Sequence, residues 1–319
     1  MVKSAQEAAK KENVVISAGD CAITLLPEFG GKIASICVRH HELLQQPLAP
    51  IAPRTNTLLF DASDASGWDE CLPSVAACAV PTVAGEAQVP DHGDLWRVAW
   101  DTVASDDSSA TLRGSCFSLP LALERTLQLN ETQSGCQLDL LYKVTNKGRH
   151  PEPWSWAAHA LFAVAPGDTI ELPETIHTLR LEGSGGGRLG TRDDKIAWPM
   201  ATLADGSRVD LRVAQAAETG IGDKLFAEDL SGVENWCALR RPSAGVRIRV
   251  EFDPAATPNL GLWICYGGWP DRPGTKQMCV ALEPSTAPVD SLAETGSWSR
   301  VLEPGQSDEW PMHVAIETL

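Results

Sequence analysis

Apolar and polar residues alternate with a period of two along much of the chain. Leu123, Arg125, Leu127 and Leu129 interleave with Glu124, Thr126 and Gln128. Beyond a turn-like stretch from Glu131 to Gly135, Cys136, Leu138, Leu140, Tyr142 and Val144 alternate with polar neighbours. Successive side chains of a strand point to opposite faces, so these two runs predict an antiparallel hairpin. The same period recurs in Val246, Ile248, Val250 and Phe252 against Arg247, Arg249 and Glu251. Shorter β-rich runs lie at Ile33 to Val38, Leu260 to Tyr266, Met278 to Leu282 and His313 to Ile316. Helical signals are few. Ser4-x-x-Glu7 has capping-box spacing ahead of an Ala- and Lys-rich stretch, which predicts a peripheral N-terminal helix within residues 1–13.

The 26 Gly and 22 Pro are spread along the chain instead of marking one linker, as suits many turns between strands. The expectation is one large all-β domain spanning residues 1–319, a length that a single β-sandwich can reach. No repeat of fixed period is visible, which disfavours a propeller or solenoid.

Composition and charge narrow the function classes. Hydrophobic residues at 43% and charged residues at 21% are ordinary for a globular protein with a sizeable core. With 26 Lys and Arg against 42 Asp and Glu, the formal charge is −16, a field that repels phosphate backbones and anionic lipid headgroups. Nucleic acid and membrane are therefore not expected partners. The N-terminus lacks the apolar core of a secretory signal, and no apolar run approaches the roughly 18 residues of a membrane span, so a cytoplasmic location is expected. Nine scattered cysteines with no C-x-x-C pair predict buried reduced thiols, not a disulfide scaffold or zinc knuckle. Eleven Trp against six Phe and two Tyr is an unusual aromatic balance.

Most short motifs point nowhere. Gly185, Gly187 and Gly190 fit G-x-G-x-x-G, but Thr191-Arg192-Asp193-Asp194 leads toward Trp198-Pro199 and opens no helix, so a loop is expected. The adjacent His40 and His41 face opposite ways if extended and read as a surface turn. Three segments carry more. In Pro90-Asp91-His92-Gly93-Asp94, a histidine among turn formers precedes an expected strand with Trp96, Arg97 and Trp100. Trp154-Ser155-Trp156-Ala157-Ala158-His159-Ala160-Leu161-Phe162 sets one histidine in an apolar run. Met278 to Leu282 is a hydrophobic strand expected to end in Glu283-Pro284. Each alone fits a structural role, as a core histidine or a strand-end carboxylate. Jointly they supply the usual acid and base of proton-transfer catalysis in apolar surroundings that shift pKa values.

With these segments in order, the chain resembles the aldose 1-epimerases (galactose mutarotases) over most of its length. Gly30-Gly31-Lys32-Ile33 is similar to that family's early glycine-rich strand start, and Asp91-His92-Gly93 to its first histidine. His159, followed by Phe162, resembles the second histidine. Leu282-Glu283-Pro284-Ser285-Thr286 resembles the segment bearing the catalytic glutamate, and Leu302-Glu303-Pro304-Gly305, with Trp310, the final Pro-Gly turn and strand. There are departures. Where relatives carry a sugar-binding arginine, this chain has Trp68-Asp69-Glu70-Cys71, and Arg97 is the candidate replacement cation. The family's mid-chain aspartate has a loose counterpart in Asp223.

The resemblance implies a large antiparallel β-supersandwich and anomer interconversion of a small-molecule carbohydrate. Glu283 takes the proton of the anomeric hydroxyl, His159 protonates the ring oxygen, and His92 steadies the developing charge. It implies no metal or organic cofactor. Arg97, Asp69, Glu70, Trp68, Trp156 and Asp223 are the expected substrate-binding residues. Flat aromatic walls suit the C–H faces of a sugar ring, so about one to three of Trp68, Trp96, Trp154, Trp156 and Trp269 are expected to touch ligand. Two alternatives stand beside this reading. One is a non-catalytic carbohydrate-binding protein. The other is a hydrolase or lyase on the same scaffold that draws on Asp69 or Glu70, since glycosidases need two carboxyls about 5 to 9.5 Å apart. A phosphorylated sugar is less favoured, because only Arg97 and Lys32 lie near the motifs as cations.

Overall fold

A computed structural model describes residues 12–230 and 234–319. The expected N-terminal helix falls almost entirely outside them. Period-two alternation becomes antiparallel pairing almost throughout. Leu121–Thr132 and Gly135–Asn146 form the expected hairpin, with Leu123 opposite Val144 and Leu129 opposite Leu138. Together with Val246–Phe252 and Ser307–Thr318 they lie in an eight-stranded sheet. An eleven-stranded sheet packs against it. Along part of that sheet, neighbouring strands run Lys32–Val38, Trp68–Cys71, Ala157–Ala163, Met278–Ser285, Asn259–Tyr266 and Ile221–Ala227. The apolar positions of both sheets, among them Leu123, Leu127, Val314, Phe162, Leu262 and Leu282, meet in one buried cluster. The architecture is the mostly antiparallel β-sandwich expected, and no helix among the described residues is long and apolar enough to cross a membrane.

Two local expectations are corrected, and a third holds. Trp96 and Arg97 lie in a 3-10 turn, Leu95–Arg97, and the next strand starts at Asp101. Burial explains the aromatic run there: Trp96 is buried beside Phe60 and Trp100 against Gly31 and Gly114. Glu283 sits inside its strand, which continues through Pro284, opposite Leu260, to Ser285. Gly185–Gly187 make a single 3-10 turn, so the glycine motif is a loop as expected.

Candidate active site

Strand register brings the acid and base candidates together. Ala160 is opposite Leu282 and Ala157 opposite Ser285, which sets His159 beside Glu283 on neighbouring strands. Gly261 is opposite Glu283, and Phe226 is opposite Gly261 in turn. Since Ala160, Leu282, Leu262 and Leu225 point into the sandwich, alternation turns His159, Glu283, Lys224 and Phe226 to the outer face. Gly261 keeps a lane open across that face. A Cβ there would lie 3.1 Å from Glu283 Oε2 and 3.2 Å from the Phe226 ring. Across the lane, the Lys224 ammonium donates to Glu283 Oε2, lies 5.3 Å from the centre of the Phe226 ring and 3.6 Å from Asp290 Oδ1.

His92 arrives from a loop that only particular residues can make. His92 and Gly93 both adopt left-handed backbone, at φ 58° and 68°. A Cβ on Gly93 would stand 2.3 Å from the Leu72 carbonyl oxygen, so glycine is needed there for space as well as conformation. The His92 amide donates to the Val75 carbonyl at 2.5 Å, and the Val75 and Ala76 amides donate to the Asp290 carbonyl at 3.0 and 2.7 Å. One turn thus ties His92 to Asp290. The His92 ring stacks on Phe60 with centroids 3.6 Å apart and meets the His159 ring edge-on at 4.9 Å. Its Nδ1 lies 2.9 Å from Asp91 Oδ2.

These groups line a cavity of about 580 Å³, walled by Phe60, Trp263 and Trp269 and reached by Gln277, Asp61, Asp91 and Asp290. That volume suits a single small ligand. Three buried atoms in it have no hydrogen-bond partner in the protein, Glu283 Oε1, His159 Nδ1 and Asp290 Oδ1. Burial raises the Glu283 carboxyl, and the Lys224 ammonium pulls it part of the way back. Burial also pushes His159 well below the ordinary histidine value, helped by the positive fields of His92, Lys224 and Lys32, so its imidazole is neutral at neutral pH. For Lys224, burial opposes the charge, but Asp290 and Glu283 more than offset it and hold the ammonium above its usual value. The result is a neutral imidazole beside a carboxylate–ammonium pair on the cavity face of the sheet.

The remaining expected site residues do not line this cavity. Trp68 and Trp156 are fully buried in the sandwich, where Trp156 packs against Tyr142 and Trp310. Glu70 points inward as well. It accepts from Arg125 at 2.7 Å, Trp156 at 3.0 Å and Tyr142 at 3.2 Å, and burial pushes it up to about 6. Asp69 pairs in register with His159 but is buried and engaged by the Lys32 ammonium, 2.6 Å away, and does not reach the cavity. Arg97 is no substitute cation for a ligand, since it donates at 2.8 Å to the carbonyls of Leu58, Asp91 and Gly93 and so braces the His92 loop. Asp223 faces away from Lys224, into the sheet's inner side, and is held by Ser184 at 2.7 Å and by Arg188. Of the tryptophans singled out from the sequence, Trp269 alone lines the cavity, and Trp263 joins it. Sequence reading missed Lys224, although Ile221 and Leu225 on the apolar side of the alternation mark it as outward-facing. Phe60, Gln277 and Asp290 come from loops with no local signal.

Similarity to known proteins lies in the fold. No family model and no curated protein matches the sequence. A solved structure of a Synechocystis protein matches with a TM-score of 0.69 and 16% identity over 100% of each chain. A galactose mutarotase-like protein from Lactobacillus casei matches with a TM-score of 0.65 and 17% identity, covering 96% of this chain and 100% of its own. The GalM/aldose epimerase homologue from C. elegans matches with a TM-score of 0.64 and 13% identity, over 97% and 99%. At such identities the likeness speaks for architecture, and the chain has a galactose mutarotase-like β-sandwich fold.

Proposed function

We propose that the cavity is the active site of a carbohydrate epimerase of the aldose 1-epimerase type. The observation that carries this is the adjacency of Glu283 and His159, each with an unpartnered polar atom, on an aromatic-walled cavity. Glu283 accepts the proton of the anomeric hydroxyl while protonated His159 gives its proton to the ring oxygen. The C1–O5 bond breaks, and rotation about C1–C2 precedes closure on the other face, with the two groups acting in reverse. His92, fixed by its stack on Phe60 and its contact with Asp91, donates to oxygen near C1. Lys224 keeps Glu283 ionised, which the buried carboxyl alone would resist. Each positioned proton transfer contributes about 10² to 10⁴ in rate.

Polarimetry of fresh α-glucose and α-galactose with purified protein tests the proposal. Faster approach to the equilibrium rotation, abolished in Glu283→Gln, is the expected outcome. No acceleration across a panel of free hexoses would sink it. The pairing of Lys224 with Glu283 also favours a second reading, a carbohydrate-binding protein without catalysis, because the ion pair lowers the basicity of the carboxylate. In that case hexoses bind the wild-type protein with no change in mutarotation rate.

A further inference from the structure

The charges around the cavity bear on which sugar enters, provided that the cavity is a sugar site as proposed above. Among the described residues, four carboxylates line it, from Asp61, Asp91, Glu283 and Asp290, against the single ammonium of Lys224, and no arginine lines it. That ammonium is already engaged by Glu283. Asp91 has the His92 ring beside it. Asp290 is different. Its contact with Lys224 is long, 3.6 Å, and its Oδ1 has no hydrogen-bond partner. Its backbone carbonyl is held by the amides of Val75 and Ala76 and by the Ser74 hydroxyl at 3.1 Å, so the carboxylate is presented from a rigid point. Glu283, 1% exposed, likewise keeps Oε1 free at the cavity.

We infer that the cavity selects its sugar by charge. It takes an amino sugar, whose protonated amine meets Asp290, in preference to the parent neutral sugar, and it rejects phosphorylated and carboxylated sugars. A phosphate or uronate group inside would meet several carboxylates and no uncommitted cation. An ammonium gains a carboxylate partner in a partly desolvated place, where charge pairing is stronger than in water.

Calorimetric titration of the full-length protein tests this at about pH 6.5, where a sugar amine is protonated. The ligands are glucose and galactose, their 2-amino and 6-amino derivatives, glucose 6-phosphate and glucuronate. At least one amino hexose is expected to bind about tenfold more tightly than its parent, and the phosphate and uronate at least about tenfold more weakly. The amine advantage should shrink in high salt. In Asp290→Asn, whose backbone anchors are unchanged, it should fall to within about threefold. Amino sugars binding no better than their parents, a phosphate binding as well as the parent, or an advantage that survives Asp290→Asn would overturn the inference and leave the sugar site standing. Failure of every sugar to bind would instead remove the proposed function beneath it.

Discussion

Lys224→Met isolates the electrostatics of the candidate base. The side chain of Glu283 is 2% exposed and that of Lys224 12%, so the change removes the charge partner of a carboxylate that water barely reaches. Breaking a buried pair by removing one member typically costs about 3 to 5 kcal/mol, and the partial exposure of Lys224 places this site near about 3 kcal/mol. Methionine keeps the packing on Phe226, so loss of volume adds little. The pH dependence supplies the sharper check. Glu283 is already raised by burial, hence its protonated form is favoured in the folded state, and stability is lost as pH climbs through its folded value. Without the ammonium that rise grows. The gap between wild type and variant should therefore be small near about pH 4.3, the ordinary glutamate value, and widen as pH rises toward the variant's folded value. Lys224 is raised too, so its contribution is present below about pH 10.4 and fades as pH rises past its folded value. Urea unfolding across this range is the assay, with Glu283→Gln added to the variant as a control that restores stability by removing the stranded charge. A loss under about 1 kcal/mol at neutral pH, or one equal at both ends of the acid range, would show that the ion pair does not govern Glu283.

Further outcomes follow from the same geometry. Because burial lowers His159 and raises Glu283, the form with His159 protonated and Glu283 ionised is a minority species, and the mutarotation rate should peak below about pH 6.5; a plateau extending well above neutral pH would contradict it. Gly93→Ala puts a Cβ against the Leu72 carbonyl in left-handed backbone, so a stability loss above about 1 kcal/mol is expected, with sugar affinity falling as His92 shifts; thermal unfolding and titration with hexose check both. Arg125→Met strands Glu70 in the sandwich and should cost about 3 to 5 kcal/mol in urea, much of it recovered in the double variant with Glu70→Gln. Gly261→Val fills the lane between Phe226 and Glu283 and should abolish mutarotation while leaving circular dichroism near wild type; retained activity would mean that Lys224 need not reach Glu283.

Much of the fold was legible because alternation is local. The hairpin of Leu121–Thr132 with Gly135–Asn146 and the strand Val246–Phe252 follow directly from which positions are apolar. His92, His159 and Glu283 were legible through likeness to a known pattern, and all three reach one cavity. Their neighbours were harder. Asp223 matches the resembled pattern by residue type, whereas facing is decided by parity, and parity sends Asp223 to Arg188 on the inner side and Lys224 to the cavity. Arg97 was chosen as a free cation, yet its guanidinium is consumed by three backbone carbonyls that no local pattern reveals. Asp290 and Phe60 enter the cavity from loops distant in sequence, and such meetings are set by the whole sheet.

The larger sheet also bears on how such a protein can diverge. Its inward residues, such as Leu225, Leu262 and Leu282, carry the sandwich, while the interleaved Lys224, Gly261 and Glu283 carry the cavity. The two sets share strands but face opposite sides of the sheet. An outward residue can therefore be exchanged without repacking the interior, although replacing Lys224 takes away the charge partner of Glu283. This chain keeps the architecture of solved structures to which it is only 13 to 17% identical, so the sandwich tolerates wide exchange of side chains.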